Sequence, residues 1–153
     1  MGYLFQRSLT HYSHYSLERI LFQMNVGIKG CQELVVDESN SALKLESGTL
    51  KVFATPAMIA LMEKTSWMSV VDYLDEGLCT VGISIKIKHI AATPLGMKVV
   101  CNSELINIDN RCLTFSVKVY DESGIIGEGI HERFIVKEAS FQKKANEKLK
   151  AGK

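Results

Sequence analysis

Apolar and polar residues alternate along several stretches of the chain in the way that β-strands require. Four such stretches fill the second half, separated by turn-forming residues: 79–90, 97–108, 112–120 and 125–136. A separate stretch near the start, 26–36, is rich in β-branched and apolar residues. Because short turns usually join antiparallel neighbours, the pattern predicts one strand followed later by an antiparallel meander.

A helical pattern occupies the segment between the first strand and the meander. Thr55 followed by Pro56 matches a helix N-cap and first helical position, and the next residues, AMIALM, are uncharged and apolar on every side. The pattern predicts a helix from about Pro56 to Leu74, ended by Gly77. The predicted fold is therefore α+β, with a curved antiparallel sheet wrapped around one long central helix.

The chain divides by composition into three parts. Residues 1–23, rich in Ser, Tyr and His, are expected to be an irregular N-terminal extension without a secretory signal. Residues 24–141 hold the predicted domain. Residues 142–153 carry five lysines and are expected to be a solvated helix or a frayed terminus.

Charge and cysteine content exclude several classes of protein. The 18 basic and 17 acidic residues nearly cancel, which indicates neither a nucleic-acid partner nor an anionic membrane surface. The longest uncharged apolar stretch, 57–62, is far below the ~20 residues of a membrane span. The four cysteines are scattered, with no metal-ligand spacing and no disulfide framework. Free thiols, no metal site and a cytoplasmic location are expected.

Glu63 is the first charge in the predicted helix. It lies four residues after Ile59 and four before Trp67, so the three side chains share one helical face. A carboxylate on an apolar stripe has a raised pKa, which suits a general base. The alternative is that the helix turns its polar side outward here, since Lys64 follows at once.

The strand at 79–90 carries two further candidates. His89 extends an apolar row, where it can be a core residue or a catalyst. Gly82 is typical of a bulge or of a close approach by a ligand. Strict alternation predicts two faces, one with Cys79, Val81, Ile83, Ile85, Ile87 and His89, the other with Thr80, Gly82, Ser84, Lys86 and Lys88.

Arg133 stands out in the last predicted strand, where alternation places His131 on the same face. Its planar fork can clamp a carboxylate or phosphate, or can pair with an acid across the sheet. The chain lacks the G-x-S-x-G, H-E-x-x-H, phosphate-loop and dinucleotide motifs. The pattern alone thus gives candidates but no reaction.

Four separated segments carry a resemblance to a known family: FATPAMIALME (53–63), TVGISIKIKHIAATPLG (80–96), LTFSVKVYDESGIIGEG (113–129) and HERF (131–134). Together they resemble the fluoroacetyl-CoA thioesterase-like branch of the hotdog superfamily over about 26–141. The resemblance implies the hotdog fold and hydrolysis of an acyl-CoA to free acid and CoA, with no cofactor.

The resemblance also implies roles for individual residues. Thr55, Glu63 and His89 match the catalytic set, and Gly82 and Arg133 match substrate-binding positions. Residues 46–52 do not match the aromatic lid of the fluoroacetate enzyme, so the resemblance implies a small or medium acyl group and nothing narrower.

The resemblance implies a homodimer or a higher homo-oligomer, with sites built between protomers. The spacing supports this, because eight helical residues separate Thr55 from Glu63 by about 12 Å. Two rival functions remain. One is a noncatalytic acyl-CoA sensor or carrier module; the other, an enoyl-thioester hydratase, would require a D-x-N-x-x-H motif that the chain lacks.

Overall fold

The computed structural model describes residues 24–151, so the predicted extension at 1–23 lies outside the described residues. The main elements, in chain order, are β1 (Lys29–Val35), α1 (Thr55–Val70), β2 (Leu78–His89), β3 (Lys98–Asp109), β4 (Cys112–Asp121), β5 (Gly124–Lys137) and α2 (Glu138–Ala151). Short 3-10 turns occupy Glu38–Asn40 and Val71–Tyr73.

All five strands form one antiparallel sheet in the order β1-β3-β4-β5-β2. This confirms the predicted α+β architecture, with one difference in the meander. The short connection between β2 and β3 does not join neighbours, because β2 pairs with β5 at the opposite edge. The connection instead crosses the end of the sheet, where the Phe53 amide donates to the Thr93 carbonyl at 2.8 Å.

Helix α1 packs on the concave side of the sheet, and its first turn differs from the prediction. The N-cap is Ala54, not Thr55, because the helix begins one residue earlier than its sequence pattern indicates. The Thr55 hydroxyl is bonded elsewhere. Buried residues of α1 and the sheet form the core, among them Met58, Leu61, Met62, Val99, Leu105, Phe115 and Val117.

The far side of α1 is not enclosed by the sheet of its own chain. Trp67 is 40% exposed and Met68 38% exposed. The sheet of the same chain therefore covers one side of the helix and leaves the other side exposed at these two residues.

A β-bulge in β2 overturns the predicted alternation of its faces. Gly82 pairs with Arg133 and Ser84 with Glu132, which leaves Ile83 as the extra residue. The extra residue reverses the alternation, so Gly82 lies on the same concave face as His89. The bulge explanation of Gly82 is confirmed, but its predicted separation from the His89 face is wrong.

Helix α2 follows β5 directly and is exposed along its described length. Of the two predictions for the tail, a solvated helix or a frayed terminus, the described residues form the helix. None of the helices between residues 24 and 151 combines the length and the hydropathy needed to cross a lipid bilayer.

Candidate active site

The five predicted site residues fall into two groups on the concave side of the sheet. We call Thr55 and His89 the outer pair, because Thr55 lies at the exposed start of α1. The second group, the inner cluster, combines the middle of α1 with the first half of β2 and the end of β5; it consists of Glu63, Thr80, Gly82, His131 and Arg133.

The outer pair joins the first residue of α1 to the last residue of β2. The Thr55 Oγ1 and His89 Nδ1 atoms are 2.7 Å apart, which is a short hydrogen bond. The hydroxyl can donate to the ring nitrogen or accept from it, depending on the tautomer. In the first case the imidazole is placed to accept the hydroxyl proton, as activation of an attacking threonine requires.

The other ring nitrogen of His89 is in an unusual position. Nε2 is buried, yet within the described part of the chain it has no hydrogen-bond partner. A buried polar atom left unsatisfied costs about 1–3 kcal/mol. The outer pair is therefore incomplete within one chain.

In the inner cluster, Arg133 is held by three hydrogen bonds. Its Nε donates to Thr80 Oγ1 at 2.8 Å, its Nη2 to the Thr80 carbonyl at 2.7 Å, and its Nη1 to His131 Nε2 at 3.1 Å. The side chain is only 6% exposed and forms no ion pair within the described residues. The predicted pairing with an acid across the sheet is absent, and the arginine is fixed by uncharged acceptors.

His131 was not among the predicted site residues, although alternation placed it beside Arg133. It is fully buried, and its Nδ1 lies 2.9 Å from the Ser84 carbonyl. Since arginine can only donate, Nε2 accepts and the proton is on Nδ1, which donates to Ser84. Burial lowers the pKa of the imidazole, the Ser84 hydrogen bond opposes this, and the Arg133 charge lowers it further. His131 is therefore neutral near pH 7.

Glu63 extends over the backbone of Gly82. A Cβ atom on Gly82 would lie 2.7 Å from Glu63 Oε1, 3.2 Å from His131 Cε1 and 3.6 Å from Arg133 Nη1. No side chain larger than hydrogen fits without moving the carboxylate. The absence of a side chain at Gly82 thus lets the Glu63 carboxylate approach the strand backbone, and we call the gap above Gly82, between this carboxylate and the Arg133 guanidinium, the Gly82 notch.

The size of the Gly82 notch can be bounded. Glu63 and Arg133 form no ion pair, so their charged atoms are more than 4.0 Å apart. Oε1 lies 2.7 Å and Nη1 3.6 Å from the position of a Cβ on Gly82, so these two atoms are at most about 6.3 Å apart. One water molecule, or one carbonyl oxygen with a water, spans such a gap.

The outer pair and the inner cluster do not meet within one chain. Thr55 and Glu63 lie about 12 Å apart along α1 at 1.5 Å per residue. The Gly82 and His89 α-carbons lie roughly 20 Å apart at about 3.3 Å per residue of strand. Glu63 therefore cannot contact His89 of its own chain.

Three of the four cysteines are poorly suited to act as nucleophiles. All four are free, and burial is the main cause that raises the thiol pKa of Cys79 and Cys112. For Cys101 burial raises the pKa to about 11. Thiolates of these three residues are thus scarce at neutral pH. Within residues 24–151, no group of three His, Cys, Asp or Glu side chains is arranged to hold a metal ion.

Comparisons with known proteins identify the family. Residues 36–139 match the family model FlK, fluoroacetyl-CoA-specific thioesterase. The chain is 36% identical to the fluoroacetyl-CoA thioesterase of Streptantibioticus cattleyicolor over 102 residues, which is 67% of this chain and 73% of the relative.

Solved structures give the same result for the fold. The fluoroacetyl-CoA-specific thioesterase FlK superposes with a TM-score of 0.78 at 31% identity, covering 82% of this chain and 97% of that one. A variant of FlK in complex with fluoroacetate and CoA gives a TM-score of 0.74 at 31% identity, covering 77% and 99%. A Thermus thermophilus member of the thioesterase superfamily gives 0.76 at 25% identity, covering 83% and 96%.

These matches confirm the hotdog fold that the family resemblance implied, because the TM-score of 0.78 with FlK extends over 82% of this chain and 97% of that one. The family model spans well over half of the sequence and includes both the outer pair and the inner cluster. The chain belongs to the FlK family of fluoroacetyl-CoA-specific thioesterases.

Proposed function

We propose that this protein is an acyl-CoA thioesterase that hydrolyses a small or medium acyl-CoA to the free acid and CoA. The observation that carries the proposal is the arrangement of Thr55, His89 and Glu63 on one side of the sheet. The first two are hydrogen-bonded, and the third lies over the Gly82 notch. A family relative that holds fluoroacetate and CoA supports a CoA thioester as the substrate class.

Two chemical routes suit these residues. In one, Glu63 removes a proton from water, which attacks the thioester carbonyl and expels CoA as the thiolate. In the other, the Thr55 hydroxyl or the Glu63 carboxylate attacks, the C–S bond breaks, and water then hydrolyses the acyl-enzyme. His89 can accept the Thr55 proton in the threonine variant of the second route.

The oxyanion formed in either route needs hydrogen-bond donors. The Gly82 amide is one candidate. The first amides of α1 are the other, since Ala54 provides no side-chain cap and the helix dipole favours negative charge there.

We further propose that the site is completed by a second copy of the chain. Strand β2 is at an edge of the sheet, which leaves one side of its backbone available for pairing. Beside this edge lie exposed apolar side chains, Ile83 at 54% and Trp67 at 40%. A symmetric dimer would cover both.

The bulge in β2 makes such a dimer consistent with a shared site. If two β2 edges pair antiparallel about Lys86, with Ile83 bulged out, Gly82 of one protomer faces His89 of the partner subunit. Both residues then point to the concave side, as opposed residues of neighbouring strands must. In that register the Glu63 carboxylate would approach the buried Nε2 of the partner's His89, and the two protomers would form a composite site.

Mixed dimers test this arrangement directly. We expect a dimer of one Glu63→Gln protomer and one His89→Ala protomer to have about half the wild-type activity, because one of its two sites keeps both residues. The reciprocal control puts both substitutions in one protomer beside a wild-type partner. It should be nearly inactive, since each site then lacks one residue. If instead the first mixed dimer is nearly inactive and the reciprocal control keeps about half of the activity, each site lies within one protomer.

Release of free thiol tests the activity itself. The assay uses acetyl-, propionyl-, butyryl-, aryl- and haloacetyl-CoA with the wild-type protein and with Glu63→Gln. Turnover that falls in the variant supports the thioesterase. Tight binding of acyl-CoA without thiol release would support the noncatalytic sensor or carrier.

The remaining properties follow from the same chemistry. Hydrolysis consumes only water, so we propose no cofactor beyond the CoA of the substrate. The four free cysteines fit a reducing, cytoplasmic location. The near balance of 18 basic and 17 acidic residues supports neither a nucleic-acid nor a membrane partner.

A further inference from the structure

The guanidinium of Arg133 is only partly used by the protein. It has five N–H donors, and three of them are bonded to Thr80 Oγ1, the Thr80 carbonyl and His131 Nε2. One N–H on each terminal nitrogen remains. Because the side chain is 6% exposed, these donors require a partner inside the protein or its site.

His131 forms the link between this arginine and the bulge of β2. Its Nδ1–H donates to the Ser84 carbonyl, and Ser84 directly follows the bulged Ile83. Its Nε2 accepts from Arg133. The ring also packs near Phe115, with centroids 6.5 Å apart. A phenylalanine could fill this space equally well, but it could form neither hydrogen bond.

The Nη1 atom that His131 holds is the one nearest the Gly82 notch. It lies 3.6 Å from the point where a Cβ on Gly82 would be, and Glu63 Oε1 lies 2.7 Å from that point. A rotation of the guanidinium would move Nη1 and its free N–H away from the notch. The position of the donors therefore depends on the acceptors that fix the other three N–H groups.

We propose that His131 and Thr80 are positioning residues that hold Arg133 so that the free N–H of its Nη1 is aimed at the thioester in the Gly82 notch. The expected change in kcat/KM rests on the proposed thioesterase function. The expected change in the mobility of the Arg133 side chain does not. His131 acts through Arg133 and does not touch the substrate.

A double-mutant cycle tests the kinetic consequence. His131→Phe keeps an aromatic ring but removes both hydrogen bonds, and we expect kcat/KM to fall about 100-fold, as small misplacements at an active site do. Arg133→Lys should change the same kinetic parameter, kcat or KM, as His131→Phe. When Arg133→Lys is already present, adding His131→Phe should lower kcat/KM by less than a further threefold. His131→Gln, which offers an amide donor and acceptor, should restore most of the loss.

A second measurement does not depend on activity. In NMR spectra of protein with 15N-labelled arginine, the Arg133 Nε–H signal, assigned by its loss in Arg133→Lys, should be protected from solvent. Its exchange should accelerate at least tenfold in His131→Phe. The matched control is Ile135→Val, a buried change two residues further along the same face of β5. The control should change neither exchange nor kcat/KM.

If His131→Phe does not fold, Thr80→Val replaces it, since it removes only the acceptor for Nε. Additive effects in the cycle, or unchanged Nε–H exchange in the folded variant, would overturn the proposal. A wild-type protein without thiol release, but with accelerated exchange in the variant, would overturn the thioesterase and leave the positioning role standing.

Discussion

The two halves of the site differ in how completely one chain builds them. In the inner cluster, His131 is fully buried, Arg133 is 6% exposed, and both ring nitrogens of His131 are hydrogen-bonded. In the outer pair, Thr55 is exposed, and His89 makes one hydrogen bond while its buried Nε2 makes none.

The difference indicates a division of tasks. Groups fixed by several bonds in a low-dielectric interior are preorganised, and preorganised dipoles stabilise a transition state without moving during the reaction. The outer pair has the reactive hydroxyl and imidazole but depends on a further contact. We infer that the inner cluster is complete within one chain, whereas the outer pair needs further contacts, which the proposed dimer and the substrate would supply.

The largest expected effect is that of Glu63→Gln, which removes a carboxylate base but keeps the shape of the side chain. We expect kcat/KM for the best acyl-CoA to fall about 10³-fold, within the range measured for general bases. The control is Lys64→Gln, an exposed neighbour on the same helix, which should keep full activity. If the two variants behave alike, Glu63 has no chemical role.

The next effect tests the Gly82 notch. In Gly82→Ala the added methyl would lie 2.7 Å from Glu63 Oε1, so the carboxylate must move. We expect about a 100-fold loss of kcat/KM with an unchanged circular dichroism spectrum. Gly48→Ala is the matched control, because its nearest neighbour would be Ala42 Cβ at 3.4 Å. Full activity in Gly82→Ala would show that the reaction does not depend on the position of the Glu63 carboxylate above Gly82.

A smaller effect is expected in the outer pair. Thr55→Val removes the hydroxyl bonded to His89 and leaves the helix start exposed as before. We expect about a tenfold loss of kcat/KM if the hydroxyl only orients the imidazole, and Thr55→Ser should be close to wild type. A loss as large as that of Glu63→Gln would instead identify Thr55 as the nucleophile, which a burst of released thiol in stopped-flow experiments would confirm.

Much of the fold could be predicted from periodicity, because the strands and α1 have strong and uninterrupted patterns. The start of α1 was misplaced by one residue, since Thr55-Pro56 has the chemistry of a cap while the Thr55 hydroxyl bonds to His89. The edge position of β2 could not be predicted from a short connection alone, because that connection pairs with the loop before α1.

The site was harder to predict than the fold for a physical reason. A single bulged residue, Ile83, reverses every side chain after it, so strict alternation put Gly82 and His89 on opposite faces. Alternation places His131 beside Arg133 but gives it no role, because its bond to the Ser84 carbonyl arises only through strand pairing and the bulge. The roles of Thr55, Glu63 and His89 came from the family resemblance and stay predictions.

The smallest expected effect is on the pH dependence of stability. Burial holds the pKa of His131 below its ordinary value of 6.5, while Ser84 and Glu63 oppose the shift and Arg133 adds to it. Below pH 6.5 the unfolded chain therefore takes up a proton that the folded chain resists. The contribution of His131 to stability is complete above pH 6.5 and is lost as the pH falls towards the folded-state pKa.

We expect the melting temperature to fall by a few degrees between pH 7 and pH 5, as differential scanning fluorimetry can measure. Carboxylates also titrate in this range, so the comparison with His131→Gln isolates the imidazole. The variant should have a shallower slope, because it has no group at this position that gains a proton on unfolding. Equal slopes would mean that His131 takes up its proton as readily in the folded protein as in the unfolded one. The inner cluster would then be no more closed to solvent than the outer pair.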